Sequence, residues 1–231
     1  MFSILKNPSK YHFSKTLEMV SNSNVVSSLH NFLPETFLNH LKEKGVSDSQ
    51  GVRLILYLIV RKYKPEIVIE TGVADGLSSA FILCAMHEND KGNLYSIDLP
   101  PYDCSAKIIK DVKSMTHVLE DGQRFRIQEE YSVGHLVPEY LKEKWILKLG
   151  DAKKELPILL KELNEISIFF HDSLHTYKHM RFEYETSWPF IEKGGFLISH
   201  DVVWNKAFRE FAKKVHSKPT LYYSLGVIKK S

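Results

Sequence analysis

Cysteine is scarce in this chain. Cys84 and Cys104 are the only two among 231 residues, too few for a disulfide framework, and Cys84 falls in an apolar, helix-like stretch. A reducing cytoplasm is therefore the expected setting. An excess of one charge sign is missing too. Lys and Arg number 31 against 28 Asp and Glu, a formal balance of +3 with the signs interspersed and no basic stripe. That excludes nucleic acid as an expected partner. The longest apolar run, Leu54 to Val60, is too short to span a bilayer, so a membrane partner is excluded as well. Met1 to Lys10 lacks an apolar core followed by a small-residue cleavage site, and no signal peptide is expected. There is no internal repeat. The length suits one domain with a full core, with or without an N-terminal extension.

What is present is alternation. Residues 1 to about 30 carry little signal beyond the loop-like Ser21-Asn22-Ser23-Asn24 and Ser27-Ser28. Pro34 to Glu43 reads as a helix with proline at its first position. A second helix runs from about Ser49 to Lys64, capped by Asp48 or Ser49 and stopped by Pro65. Strands are then expected at 67–69, 93–97, 145–149, 166–170 and 196–199. Helices are expected at 76–87, 152–163, 176–192 and 205–215. One or two edge strands close the chain between Leu221 and Ile228, around Gly226. This order predicts a Rossmann-like, doubly wound, mostly parallel sheet with helices on both faces. Pro100 to Lys144 is too long for an ordinary connection and is expected to be a lid or substrate loop.

Two apolar runs of strand length end abruptly in His-Asp: Ile168-Phe169-Phe170-His171-Asp172 and Phe196-Leu197-Ile198-Ser199-His200-Asp201. In an open α/β sheet the ligand sits beyond the carboxyl ends of the strands, so two such endings point to one site. Imidazole and carboxylate together are also metal-ligand chemistry. The first strand leads into Glu70-Thr71-Gly72-Val73-Ala74-Asp75-Gly76, with Ser78 and Ser79 following. Its glycines allow close backbone approach to a ligand. The spacing differs from the G-x-G-x-x-G that suits a dinucleotide pyrophosphate, and the preceding acid suits a cationic or amine-bearing ligand. Asp98 ends the next strand, where an acid can accept both hydroxyls of a ribose. Asp151 follows Gly150 at the third strand end. Together these acids read as a nucleoside pocket without phosphates, although a solvated strand end is the plainer account of Asp151 alone.

From Pro65 onward the chain resembles the class I S-adenosylmethionine-dependent methyltransferases. Phe170 to Tyr177 and Gly194 to Val202 resemble the small metal-dependent O-methyltransferases of the catechol, macrolide-sugar and cephalosporin hydroxylase-like groups. The resemblance implies residues 49–231 as the methyltransferase domain and 1–48 as a helical extension. It implies S-adenosylmethionine as cofactor, with Glu70, Gly72, Gly76 and Ser78 around its methionine part. Asp98 would then take the ribose, and Asp151 and Ala152 would lie beside the adenine. A divalent ion would rest on Asp172, His200 and Asp201. Histidine at 200 departs from the acid usual in the family, which leaves magnesium, manganese or another transition metal open and metal dependence itself in question.

The resemblance places a general base at His175, three residues beyond Asp172, with bracing the loop as the alternative role. A free imidazole has a pKa near 6.5, suited to accepting a hydroxyl proton. His171 either lines the cofactor pocket or orients Asp172, and His179 is expected at the surface. The implied reaction is in-line O-methylation of a small hydroxylated acceptor such as a sugar, a catechol or a glycosylated natural product. Tyr102, Tyr131 and His135 are candidates to recognise it. Small enzymes of this kind often form homodimers, though no surface for one is legible. A nicotinamide-dependent oxidoreductase and a non-catalytic cofactor-binding protein with a degenerate metal site stand as alternatives.

Overall fold

The computed structural model describes residues 33–46, 51–99, 109–111, 116–118, 124–126 and 133–231. Residues 1–32, Asp48, Ser49, Tyr102 and Tyr131 lie outside the described residues. Helices α1 (Glu35–Glu43) and α2 (Gly51–Tyr63) lead into β1 (Ile67–Thr71), α3 (Leu77–Asn89) and β2 (Asn93–Asp98). Within the expected insertion, β3 (Ile109–Asp111), β4 (Thr116–Val118) and β5 (Arg124–Arg126) pair as a small antiparallel sheet. A 3-10 helix, Glu139–Lys144, then leads to β6 (Trp145–Leu149). After it come α4 (Ala152–Leu163), β7 (Ile166–His171) and α5 (Tyr177–Ser187). The chain closes with β8 (Ile191–Ser199), α6 (Ala207–Lys214), β9 (Thr220–Tyr222) and β10 (Leu225–Lys229).

The main sheet runs β6-β2-β1-β7-β8-β10-β9, parallel through β8 and antiparallel at the closing hairpin. This is the Rossmann-like, doubly wound and mostly parallel sheet expected from the alternation of strands and helices. Side chains alternate across it as the pleat requires. Val68, Leu94, Ile168, Phe170 and Ile198 pack with α2 and α3 on one face. Ile69, Ile97, Phe169 and Leu197 pack with α4, α5 and α6 on the other. Helix α1 joins the first core: Phe37 is fully buried and meets Phe81 edge-on at 5.2 Å between ring centroids. Burying a side chain of that size stabilises by about 1.5–3 kcal/mol.

Three of the boundary shifts bear on how the site is built. Helix α5 stops at Ser187 rather than 192, because Pro189 cannot donate the next helical hydrogen bond and falls in a 3-10 turn, Trp188–Phe190. Strand β8 accordingly starts at Ile191 rather than 196. Ile191 pairs with Ile166 and Phe196 with Ile168, so the residues between form a bulge containing Gly194 and Gly195. Strand β1 continues to Thr71, two residues past its apolar run, since Glu70 and Thr71 pair with Ser96 and Ile97. That extension decides how the site is built.

Candidate active site

The turn from β1 into α3 is held from below and from above. Below it, the fully buried Glu70 carboxylate accepts hydrogen bonds from Ser78 and Ser79 Oγ at 2.5 Å each and from Ser96 Oγ at 2.8 Å. Burial raises this carboxyl to about 7, against the three hydroxyls that favour its ionised form. Above it, Asp98 Oδ2 accepts the backbone N–H of Val73 at 2.7 Å and of Ala74 at 2.6 Å. Burial raises Asp98 from the ordinary range despite those donors.

Gly72 (φ +83°) and Gly76 (φ +89°) adopt the left-handed conformation. A Cβ on Gly72 would stand 2.3 Å from the carbonyl oxygen of Asp172. On Gly76 it would meet Gly134 Cα at 2.6 Å. The segment that carries His135 is stitched to this turn, with Gly134 N–H on Ala74 O and Leu136 N–H on Asp75 O, both at 2.9 Å.

Glu70, Gly72, Gly76, Ser78 and Asp98 thus form one unit, but Glu70 and Ser78 face each other beneath the turn. Asp151 follows the edge strand β6 and caps α4, its Oδ1 accepting Lys153 N–H at 2.9 Å, with Ala152 as the first helical residue.

Beyond β7 and β8 the parallel ladder runs one residue past each strand. Asp172 N–H donates to Thr71 O at 2.8 Å, and His200 N–H donates to His171 O at 2.9 Å. The two side chains therefore stand side by side, with His200 Nδ1 at 2.8 Å from Asp172 Oδ1. His175 Nε2 approaches the same oxygen at 3.6 Å. Asp201 occupies a left-handed position (φ +50°), and its Oδ1 lies 3.6 Å from His200 Nε2. Burial opposes ionisation of Asp172, but the His175 and His200 rings outweigh it and hold the carboxyl at about 2. The reverse balance raises His200, where burial is outweighed by Asp172 and Asp201. The exposed Trp204 lies against His175 at 5.4 Å between ring centroids.

On the α5 side of the sheet, beside the donor loop, sits a group that sequence reasoning missed. Glu183 of α5 is fully buried. It accepts Thr71 Oγ1 at 2.6 Å, His171 Nδ1 at 2.5 Å, His179 Nε2 at 2.8 Å and Ser173 Oγ at 2.9 Å. Burial alone would push this carboxyl up, yet the His171 and His179 rings hold it well below the usual range. His171 is kept below the usual imidazole value by its own burial. His179, expected at the surface, is buried at 6% exposure, because α5 turns that face to the sheet. One signal pointed there: His179 and Glu183 are four residues apart, one helical turn.

The donor group suits a divalent ion. Among the described residues, Asp172, His175 and His200 bring three ligand atoms within 4.8 Å of one another. His175 Nε2 is buried with no hydrogen-bond partner. Of the expected metal set, Asp172 and His200 belong to this group, His175 takes the third corner, and Asp201 stands behind His200.

A family model for a methyltransferase domain matches residues 69–202, from the core of β1 through both donor strands. The chain belongs to this methyltransferase family. The methyltransferase fold is similar to that of SAH-bound PaMTH1 from Podospora anserina, at TM-score 0.57 and 11% identity, covering 91% of this chain and 97% of that one. It is also similar to the O-methyltransferase from Bacillus cereus in complex with SAH, at TM-score 0.53 and 13% identity, covering 94% and 91%. No curated protein matches the chain. Among the described residues of the methyltransferase, no helix is long and apolar enough to cross a membrane.

Proposed function

We propose that this methyltransferase moves the methyl group of S-adenosylmethionine to a hydroxyl oxygen of a small acceptor, assisted by a divalent ion. The observation that carries the reading is the contact between two half-sites. The glycine turn and the Asp172 donor loop meet backbone to backbone at Gly72, so a cofactor on the turn and an acceptor on the donors would be neighbours. Two structurally similar methyltransferases were solved with SAH, the demethylated cofactor, which supports the cofactor assignment. The Bacillus cereus protein is an O-methyltransferase, which supports oxygen as the acceptor atom.

In the reaction the C–S bond of the sulfonium breaks as a C–O bond forms in line with it. The acceptor oxygen gives up its proton to solvent water, the thioether S-adenosylhomocysteine leaves, and no net redox change occurs. The methyl is already activated, so alignment is the main task of the protein. Asp98 fixes the turn that carries the cofactor, while Asp172, His175 and His200 would hold the ion and set the acceptor's position. A bound divalent ion lowers the pKa of an oxygen it contacts. The exposed Trp204 offers a flat apolar surface to the body of the acceptor beside those donors.

The near-neutral charge balance and the two cysteines support a small-molecule acceptor and a cytoplasmic setting. Family membership in turn speaks against a nicotinamide-dependent oxidoreductase.

Calorimetry with S-adenosylmethionine tests the cofactor. The wild type should bind it, and Asp98→Ala, which frees two turn N–H groups, should bind at least about tenfold more weakly. Incubation with a panel of diols and the cofactor should give O-methylated product by mass spectrometry. Heat with NAD and none with S-adenosylmethionine would overturn the reading, and binding without any methylated product would favour a non-catalytic cofactor-binding protein.

A further inference from the structure

We propose that Asp172, His175 and His200 form a two-histidine, one-carboxylate site for a transition-metal ion, with Asp201 orienting His200 and not itself a ligand. The inference rests on reading this crevice as the acceptor side of the methyltransferase, and it makes His175 a metal ligand instead of the general base.

Four observations support it. The donors are mutually placed for one ion: adjacent ligands bound at about 2.1 Å stand about 3.0–3.5 Å apart. Asp172 Oδ1 lies 2.8 Å from His200 Nδ1 and 3.6 Å from His175 Nε2, on either side of that span. His175 Nε2 is buried without a hydrogen-bond partner, an arrangement that is costly unless something else satisfies the nitrogen. His200 presents Nδ1 to the donor group and Nε2 to Asp201 at 3.6 Å. A ligating imidazole usually donates from its second nitrogen to a carboxylate, and Asp201, just beyond hydrogen-bond length here, is placed to take that role.

The left-handed backbone at Asp201 is the fourth observation, because it turns the chain immediately after β8, where this residue must reach back to its neighbour's ring.

The donor chemistry then selects the metal. Magnesium prefers oxygen ligands and keeps its waters, whereas imidazole suits zinc, iron, nickel and copper, and manganese stands between the two groups. Three protein ligands also leave positions open on the ion, enough for two oxygens of a vicinal diol.

The experiment uses the full chain, stripped of metal and titrated by calorimetry with manganese, zinc and magnesium chlorides, with neither cofactor nor acceptor present. Manganese and zinc should bind one ion per chain, and magnesium at least about 100-fold more weakly. Asp201→Asn should weaken manganese by about 10–100-fold, as loss of an orienting carboxylate does, and His175→Ala should weaken it further. A readout that needs no variant accompanies this. In the cobalt-loaded wild type, proton NMR should show paramagnetically shifted ring protons from two histidines. Magnesium binding as tightly as manganese, wild-type affinity in His175→Ala, or shifted protons from fewer than two rings would each overturn the assignment. Binding of S-adenosylmethionine in excess chelator is a separate measurement, so loss of the metal assignment would leave the methyltransferase reading distinguishable and intact.

Discussion

Buried beneath the glycine turn, the Glu70 carboxyl holds its proton up to about pH 7, whereas an ordinary glutamate releases it near 4.5. The folded chain therefore binds this proton more tightly than the unfolded chain does. The contribution to stability is complete below about 4.5 and is lost as pH rises through about 7. Its upper bound is about 3 kcal/mol for a shift of this size. Glu70→Gln cannot titrate and still accepts hydroxyl hydrogen bonds through its amide oxygen. Urea unfolding of both proteins across pH 4 to 8 checks this, with the wild type's advantage over the variant shrinking as pH climbs. An advantage that stays constant across the range would mean that Glu70 titrates as an ordinary carboxylate. The same residue shows how three serines at 78, 79 and 96, each unremarkable in the sequence, converge on one buried group.

At the scale of elements, α4 offers the clearest division between a structural acid and one that serves the cofactor turn. Asp151 accepts the N–H of Lys153 as an N-cap. Asp151→Ala should cost about 1 kcal/mol of stability while cofactor affinity stays within about twofold of wild type. A tenfold loss of affinity with unchanged melting would assign the residue to the cofactor instead. Sequence periodicity was enough to order the elements, since β1, β2, β6, β7 and β8 are short apolar runs and the helices between them are amphipathic or buried. It was weaker at the ends. Polar residues that close a strand look like loop until their partners are known, as with Thr71, whose hydroxyl is taken by Glu183 on a helix 112 positions away. The donor pair Asp172 and His200 was legible because each stands two residues past an apolar run of strand length. The Glu183 cluster was not, because its members come from β1, from β7 with the residues just after it, and from α5, and only the sheet brings them together.

For the whole molecule, a ligand that binds only the folded state must raise its stability. At a concentration 100 times its dissociation constant, S-adenosylmethionine should add about 2.7 kcal/mol, which for a chain of this length raises the melting temperature by roughly 5–10 °C. Differential scanning calorimetry measures the shift, and NAD at the same concentration should leave the melting temperature in place. The two halves of the crevice also differ in what mutation can do to them. At Gly72 any side chain runs into the backbone of Asp172, and at Gly76 into that of Gly134, so the cofactor half offers descent almost no viable variants. Val203 and Trp204, more than half exposed at the other rim, meet no such barrier. On the proposed function, a lineage built on this scaffold is therefore free to explore new acceptors by single substitutions while inheriting its methyl donor unchanged.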